Sequence, residues 1–439
     1  MNEKYYHIIT YGCQMNEADS ETLAGILYKK GYIHTDNLEY ADVILLVTCA
    51  VREHAEQRIY GKMGDLMQLK QLKPSLIIGI GGCMPQQIQV AKKLKSNFPK
   101  LDLIFGTHNL HEFADLFDKA LLKNEKIFEI HDIDGLVVEN LPKNRKYKHK
   151  ASINITYGCN NFCTYCIVPH VRGRERSRKQ EDIVNEVKGL VANGYKEVTL
   201  LGQNVNSYGN DLSSNISFET LLEQLANIKG LLRIRFMTPH PKDMSDKLIE
   251  IVKKYDNICN HIHLPMQSGS TNVLKAMNRK YTKEQYLELA LKVRKEIPNC
   301  TITTDIIVGF PGETEQDFLD TLDVVNAVKF DAAFTFAYSK REGTPAAKYE
   351  NQVPEAVKKE RLHTLIKKVQ SLMLTSNESY FGKELDVMIE GSSKRNDNVL
   401  SARTDTYKLV HLVGDYKTGD IVRVKINKVS NFTLWAEAL

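Results

Sequence analysis

Short apolar runs alternate with longer segments of helical spacing through residues 1 to about 140. "YHIITYGC" leads into "NEADSETLAGILYKKGY", "ADVILLVTC" into "VREHAEQRIYGKMGDLMQL", "LIIGIGGC" into "MPQQIQVAKKLKSNF", and "LDLIFGTHN" into "LHEFADLFDKALL". That alternation predicts a parallel sheet flanked by helices. The segment "LPKNRKYKHK" (141–150) has five basic residues, no acidic ones and a proline, and reads as a linker or an exposed strand margin. A boundary near residue 145 follows. Strand-like runs then recur at "ASINITYG", "KEVTLLG", "LLRIRFMT", "NHIHLP", "TITTDIIVGF" and "AAFTFAYS", with helical stretches such as "KQEDIVNEVKGLVANGY" and "TKEQYLELALKVRKEI" between them. Six βα units fall short of a closed eight-stranded barrel of about 250 residues, so a partial, open βα barrel is predicted. After the amphipathic segment "EAVKKERLHTLIKKVQSLMLTSNESYF" the period changes to alternation in "KELDVMIEG", "NVLSARTDT", "YKLVHLVG", "DIVRVKINKVS" and "FTLWAEAL", predicting a small β barrel. The expected organisation is α/β overall, in three units at 1–140, 145–375 and 376–439.

Composition narrows the class without naming a function. With 439 residues, 42% hydrophobic and 26% charged, the chain is ordinary for a multidomain globular protein. The start "MNEKYYHIITYGC" has no basic region followed by an apolar stretch, and runs such as "VILLV" are too short to span a bilayer, so a cytoplasmic protein without membrane attachment is expected. A net charge of +5 is too mild to imply nucleic acid by itself. The eight cysteines are sparse for a disulfide scaffold, and clustered thiols in a reducing compartment point to metal or catalysis.

Cys13, Cys49 and Cys83 each close a predicted strand in three consecutive units. Parallel strands share a carboxyl edge, where open α/β folds bind ligands, so three distant thiols are delivered to one place. A single free cysteine there is commonly a small buried apolar residue; three at one structural position favour an iron-sulfur cluster with one open iron over closed tetrahedral zinc. "GIGGC" lacks the glycine spacing of a dinucleotide fingerprint, and its glycines more simply permit a tight turn. Cys259 and Cys300 lie near helix-to-strand junctions and read as core residues.

A second trio, Cys159, Cys163 and Cys166 in "TYGCNNFCTYCIVPH", sits in the loop after the first barrel strand, on the face where such barrels hold their chemistry. A zinc site completed by His170 is the alternative from ligand chemistry. The C-x3-C-x2-C spacing with Tyr165 before the last cysteine resembles the signature of the radical S-adenosylmethionine superfamily. The resemblance implies a [4Fe-4S] cluster on three thiolates, the fourth iron chelating S-adenosylmethionine, and chemistry at a C–H bond beyond the reach of any side-chain base.

A second open cluster can bind sulfide, and the pairing points to sulfur insertion. "YGCQMNEADSE", "TCAVREHAEQR", "GGCMPQ", "GCNNFCTYCIVPHVRGRERSR", "LLGQNVNSYG", "HIHLPMQSGS" and "DIIVGFPGETEQDF" together resemble the methylthiotransferases over nearly the whole chain. That resemblance implies a Rossmann-like N-terminal unit with an auxiliary [4Fe-4S] cluster on Cys13, Cys49 and Cys83, and a radical core with its cluster on Cys159, Cys163 and Cys166. It also implies two S-adenosylmethionine molecules, one as methyl donor to a sulfur on the first cluster and one as radical source. The implied reaction replaces hydrogen at C2 of an isopentenylated adenine next to the tRNA anticodon by methylthio. Alternatives within the family act on threonylcarbamoyl-adenosine or on an aspartate of a ribosomal small-subunit protein, and "GCQMNEADSE" and "VREHAEQR" look more like the tRNA type. A zinc-bound RNA-binding module without catalysis is the alternative from another class. Val47 and Ala50 stand where the family usually has Asn and Ser, and His170 replaces a more usual aromatic, which bears on hydrogen bonds around the first cluster.

Gln203, Asn204, Gln267 and Ser268 end barrel strands, and with Tyr165 are candidates for S-adenosylmethionine or substrate contact, against ordinary loop capping. Thr314 with Asp317 reads as a capping pair. "VRGRERSRK" (171–179) carries five basic residues and one acidic, so Arg172, Arg174, Arg176 and Arg178 are candidates for phosphate contact. The last unit resembles the RNA-binding TRAM domain, although its 9 Lys and Arg against 9 Asp and Glu from residue 374 onward would not name RNA. Implied partners are an isopentenylated tRNA, an electron donor such as flavodoxin or ferredoxin, and a sulfur or iron-sulfur supply protein, with the chain expected to be monomeric.

Overall fold

The computed structural model describes residues 3–50, 53–122, 125–131, 136–213 and 215–439, so Val51 and Arg52 of "VREHAEQR" lie outside it. The first unit is a parallel sheet of β1 (Lys4–Thr10), β2 (Tyr32–His34), β3 (Val43–Thr48), β4 (Ile77–Gly82), β5 (Leu103–Phe105) and β6 (Ile127–Glu129), in the order β2-β1-β3-β4-β5-β6. Strands β3 and β4 are buried throughout, which is why they read as continuous apolar runs. Val43, Leu45 and Val47 pack with Phe105 and Phe117 on one face, and Ile44 and Leu46 with Met63 and Leu94 on the other. The segment after Cys83 forms two helices, Cys83–Gln86 and Ile88–Asn97, because Gln87 is extended. Gln86 pins that break, its side chain accepting from Thr107 N and donating to His131 O.

The basic stretch 141–150 is neither loose nor free. Lys143 and Arg145 both meet Glu186, Arg145 also meets Glu21, and Lys150 begins the next strand. Burial opposes ionisation of Glu186, but Lys143, Arg178 and Arg145 outweigh it and bring the carboxyl down to about 2. The charges that read as an exposed linker therefore join the first unit to the second.

The second unit has β7 (Lys150–Asn154), a short antiparallel pair of β8 (Thr156–Tyr157) and β9 (Arg176–Ser177), then β10 (Glu197–Leu201), β11 (Arg233–Phe236), β12 (His261–His263), β13 (Thr301–Val308) and β14 (Ala332–Ala337). Strands β7, β10 and β11 pair in parallel, as do β12, β13 and β14, and a single parallel bridge, Ile234 to Ile258, spans the seam. Among the described residues no ladder joins β14 back to β7, so the expected open six-unit barrel is what forms. Ile183, Leu221, Leu248, Ala290 and Val324 from the surrounding helices pack against Ile153, Val198, Ile234, Ile262 and Ile306. Thr314 and Asp317 make the expected capping box for helix Glu315–Val328. Cys259 and Cys300 are buried, as core residues would be.

The third unit is a closed barrel of β15 (Glu384–Ser393), β16 (Asn396–Thr404), β17 (Leu409–Leu412), β18 (Ile421–Val429) and β19 (Leu434–Ala438). Its turn at residues 403–408 closes the amino-terminal end of the open barrel. Arg235 donates to Thr404 O and Asp405 O, each at 2.7 Å, and Arg233 donates to Arg403 O at 2.7 Å. The Tyr407 ring stacks on His261 with centroids 4.8 Å apart, and Arg235 also pairs with Glu197 at 3.2 Å. An Arg235→Ala variant leaves Glu197 buried without its cation and is expected to cost about 3–5 kcal/mol. Urea unfolding followed by fluorescence of Trp435, the one tryptophan, reads this as an earlier transition of the third unit.

Candidate active site

Glycine sets how closely the three cysteine loops of the first unit approach. A Cβ on Gly12 would lie 2.8 Å from the Cβ of Cys49, and one on Gly82 would lie 2.5 Å from Thr48 O, at a φ of +100°. These contacts place the backbone before Cys13 and Cys83 directly against the Cys49 strand end. Asn16 then ties the loops together: its Nδ2 donates to Tyr11 O and to Thr48 O, and its Oδ1 accepts from Cys13 Sγ at 3.4 Å. Cys13 is exposed while Cys49 and Cys83 are buried. Burial pushes the Cys83 thiol up to about 12; Arg172 opposes this, and Cys49 and Cys13 reinforce it.

The second trio lies on a loop braced from beneath. Asn278 donates to Asn161 O and Phe162 O, Thr164 bonds Met277 O and Ala276 O, and Cys159 N donates to Gly173 O at 3.1 Å. Cys159 and Cys163 are buried and Cys166 half-buried. Burial pushes Cys159 to about 11 and Cys166 to about 12. Thiols held so high stay protonated until a metal displaces the proton.

Each trio has a buried guanidinium on one of its sulfurs. Arg279 donates to Cys163 Sγ at 3.5 Å, and its other partners are Tyr281 Oη and Pro265 O, none of them a carboxylate. Arg172 donates to Cys83 Sγ at 3.2 Å, to Asp19 at 2.7 Å and to Asn16 Oδ1 at 3.3 Å. A buried cation aimed at sulfur is matched by a thiolate far better than by a thiol. Among the described residues no three His, Cys, Asp or Glu side chains are grouped to hold a single metal ion, and His170 lies within helix Val168–Arg172. A multi-iron cluster holds its thiolates on different irons and so further apart. Three thiols per site, soft and beside a cation, fit that group.

Helix Val168–Arg172 links the two sites. It starts two residues after Cys166, and Ile167 and Val171 pack with Ala50 and Cys83. Ala50 thus serves an apolar contact, and Val47 is a core residue in the cluster that holds Phe105. Sequence reasoning passed over Arg279; its only signal was the pair Arg279 and Lys280 in "AMNRKYT" with no acidic residue in that stretch.

The four arginines of the basic run separate. Arg172 and Arg178 are buried, Arg178 pairing with Glu139 and with Glu186 at 2.7 Å, so their reading as phosphate contacts is corrected: their charge is consumed inside the protein. Arg176 is half-buried and donates to Arg172 O. Arg174 is exposed, its guanidinium 4.5 Å from the Phe162 ring centre. Asn204 is buried, donating to Asp243 and accepting from His240 N, and Ser268 meets Thr321 and Ser270 N, so both side chains are engaged in holding their loops. Gln203 donates to Met15 Sδ in the first unit. Gln267 has a φ of +68°, a costly conformation for a residue with a Cβ, held by Asp305 O and Ile307 N. Tyr165 packs with Phe310, Tyr338 and Met277, and burial pushes its phenol well up.

Residues 153–325 match the Radical SAM superfamily, 5–106 the Uncharacterized protein family UPF0004, and 378–439 the TRAM domain. The open barrel with its cysteine loop therefore defines a radical S-adenosylmethionine enzyme. A solved radical S-adenosylmethionine methyltransferase from Kitasatospora setae shares the fold at a TM-score of 0.57 and 12% identity, over 79% of this chain and 77% of that one. The chain is 55% identical to a protein of Caldicellulosiruptor saccharolyticus over 99% of this chain and 93% of the relative. It is 52% identical to one of Clostridium botulinum over 99% and 97%. Both relatives are tRNA-2-methylthio-N(6)-dimethylallyladenosine synthases, and the chain belongs to that family.

Proposed function

We propose that this protein replaces the C2 hydrogen of N6-isopentenyladenosine at position 37 of tRNA, next to the anticodon, with a methylthio group. One S-adenosylmethionine would serve as methyl donor and a second as radical source. The observation that carries this reading is the pair of cysteine trios, each with a buried guanidinium on a sulfur, joined by helix Val168–Arg172. When bound, a [4Fe-4S] cluster on Cys159, Cys163 and Cys166 supplies radical chemistry from S-adenosylmethionine, and one on Cys13, Cys49 and Cys83 supplies the sulfur.

The chain's own residues position and screen. Arg279 and Arg172 offset thiolate charge at the two sites. Tyr165, Gln203 and Gln267 are the side chains we assign to S-adenosylmethionine contact, and Arg174 to RNA phosphate. The units at 1–140, 145–375 and 376–439 then carry sulfur, radical chemistry and RNA in turn. An acidic electron carrier such as flavodoxin or ferredoxin and a sulfur-supply protein complete the partners, for a cytoplasmic monomer. Among the described residues no helix is long and apolar enough to cross a membrane.

Anaerobic turnover with isopentenylated tRNA, S-adenosylmethionine and dithionite tests the reaction, with nucleosides read by mass spectrometry. The expected product carries methylthio in place of one hydrogen. 5′-Deoxyadenosine without that nucleoside would overturn the substrate and favour threonylcarbamoyl-adenosine tRNA or the ribosomal aspartate.

A further inference from the structure

Among the described residues the open barrel has an apolar wall left partly exposed. Ile302, Ile306 and Val308 of β13 pack outward against the helices, so Thr303, Asp305 and Ile307 face the interior. In the parallel register Asp305 stands beside Phe334 and Ile307 beside Phe336, which places both phenylalanines on the interior face of β14. Ala333, of the opposite parity, packs against the outer core. Phe334 is 55% exposed and Phe336 37%, on the strand that ends the array beside its open edge.

The wall is continuous with the second cysteine trio. Ile307 joins the apolar cluster of Tyr165, Phe310 and Tyr338, and Tyr165 directly precedes Cys166. Next to the phenylalanines the surface turns polar. His263 stands edge-on to Phe334 with centroids 6.1 Å apart, lies 3.4 Å from Asp305 Oδ2, and shares Thr303 Oγ1 with His261. The three strands β12, β13 and β14 contain no lysine or arginine. Below, Tyr407 on His261 and Arg235 shuts the amino-terminal end, so a ligand enters from the cysteine side or the open edge.

Two exposed aromatic rings beside one carboxylate, on strands without lysine or arginine, suit a neutral, branched hydrocarbon chain better than a carboxylate. Resting on the proposed function, we infer that Phe334 and Phe336 seat the isopentenyl group of the substrate adenosine, and that Asp305 turns away substituents bearing a carboxylate, such as threonylcarbamoyl. The wall thus decides which N6 substituent the enzyme accepts, and the RNA contacts elsewhere are indifferent to it.

The test uses the reconstituted holoenzyme without reductant and three anticodon stem-loops, bearing isopentenyladenosine, unmodified adenosine or threonylcarbamoyl-adenosine. The readout is the ratio of dissociation constants. Phe334→Ala and Phe336→Ala are expected to cut the preference for isopentenyladenosine over adenosine by about 10-fold or more, with binding of the unmodified loop unchanged. Asp305→Asn is expected to improve threonylcarbamoyl binding relative to isopentenyl. Phe334→Leu and Phe336→Leu, which keep an apolar wall, should retain most of the preference, and this guards against a loss due to misfolding. An unchanged ratio in both alanine variants overturns the seat, and an unchanged ratio in Asp305→Asn overturns the exclusion. Wild-type turnover on isopentenylated tRNA is the separate control: its absence would sink the proposed reaction, whereas its presence with unchanged ratios would sink this inference alone.

Discussion

Replacing Cys83 with alanine is expected to abolish methylthio transfer while S-adenosylmethionine is still cleaved to 5′-deoxyadenosine. Cys83 opens a helix at the end of β4, against the Cys49 strand end, and meets the central unit through Ile167, Val171 and Arg172, not through the hydrogen bonds that brace the second trio. That second loop is held by Asn278, by Thr164 on Met277 and Ala276, and by Gly173 O, all within the central unit. The two thiol sets therefore fail separately. Changes one layer out from a metal ligand cost about 10–100-fold, so loss of a ligand from a three-thiol set exceeds that range. Iron should fall from about eight atoms per chain to about four in Cys83→Ala. Cys159→Ala should lose the same share of iron and, unlike Cys83→Ala, all 5′-deoxyadenosine. If Cys83→Ala kept its full iron content, or if it lost S-adenosylmethionine cleavage together with transfer, the division of labour between the trios would be wrong.

Period and spacing carried the architecture well, because burial on one or both faces of a strand imprints directly on the sequence. Continuous apolar runs at β3 and β4 and strict alternation in β18 are the same rule applied to two environments. The six thiols were legible because each sits at the end of a strand or in a tight loop, where spacing is local. Partnership was not. "VRGRERSRK" looks like a solvated basic face, yet its first and last arginines are consumed by Asp19, Glu139 and Glu186. Those carboxylates lie on three other segments, and no local count of charge can find them. The basic stretch 141–150 misled for the same reason, since Glu21 and Glu186 receive its cations. A signal was present in "RIRF", where Arg233 and Arg235 alternate with core residues in a strand buried at every position. Two arginines facing a barrel interior need oxygen acceptors, and besides Glu197 of β10 the turn at 403–408 of the third unit provides carbonyls.

An Arg172→Gln substitution is expected to lower the reduction potential of the cluster proposed for Cys13, Cys49 and Cys83. The Arg172 guanidinium is buried, and one of its N–H groups points at Cys83 Sγ at 3.2 Å. A donor and a positive charge at a ligating sulfur favour the more negative, reduced form, so removing them disfavours reduction. A charge-assisted hydrogen bond of about 1.5–3 kcal/mol corresponds to roughly 60–130 mV for a one-electron couple. The substitution also leaves Asp19 buried without its cation, a loss of about 3–5 kcal/mol in stability that has nothing to do with the cluster. Pairing Arg172→Gln with Asp19→Asn separates the two effects: the double variant should regain stability and keep the part of the lowered potential due to the lost hydrogen bond to Cys83 Sγ. The measurement is a redox titration followed by electron paramagnetic resonance, in a Cys159→Ala, Cys163→Ala, Cys166→Ala background that retains only the first cluster. A potential unchanged in both variants would reduce Arg172 to a fastener between units, whereas a shift that survives Asp19→Asn makes it the residue through which the loop of one trio sets the chemistry of the other.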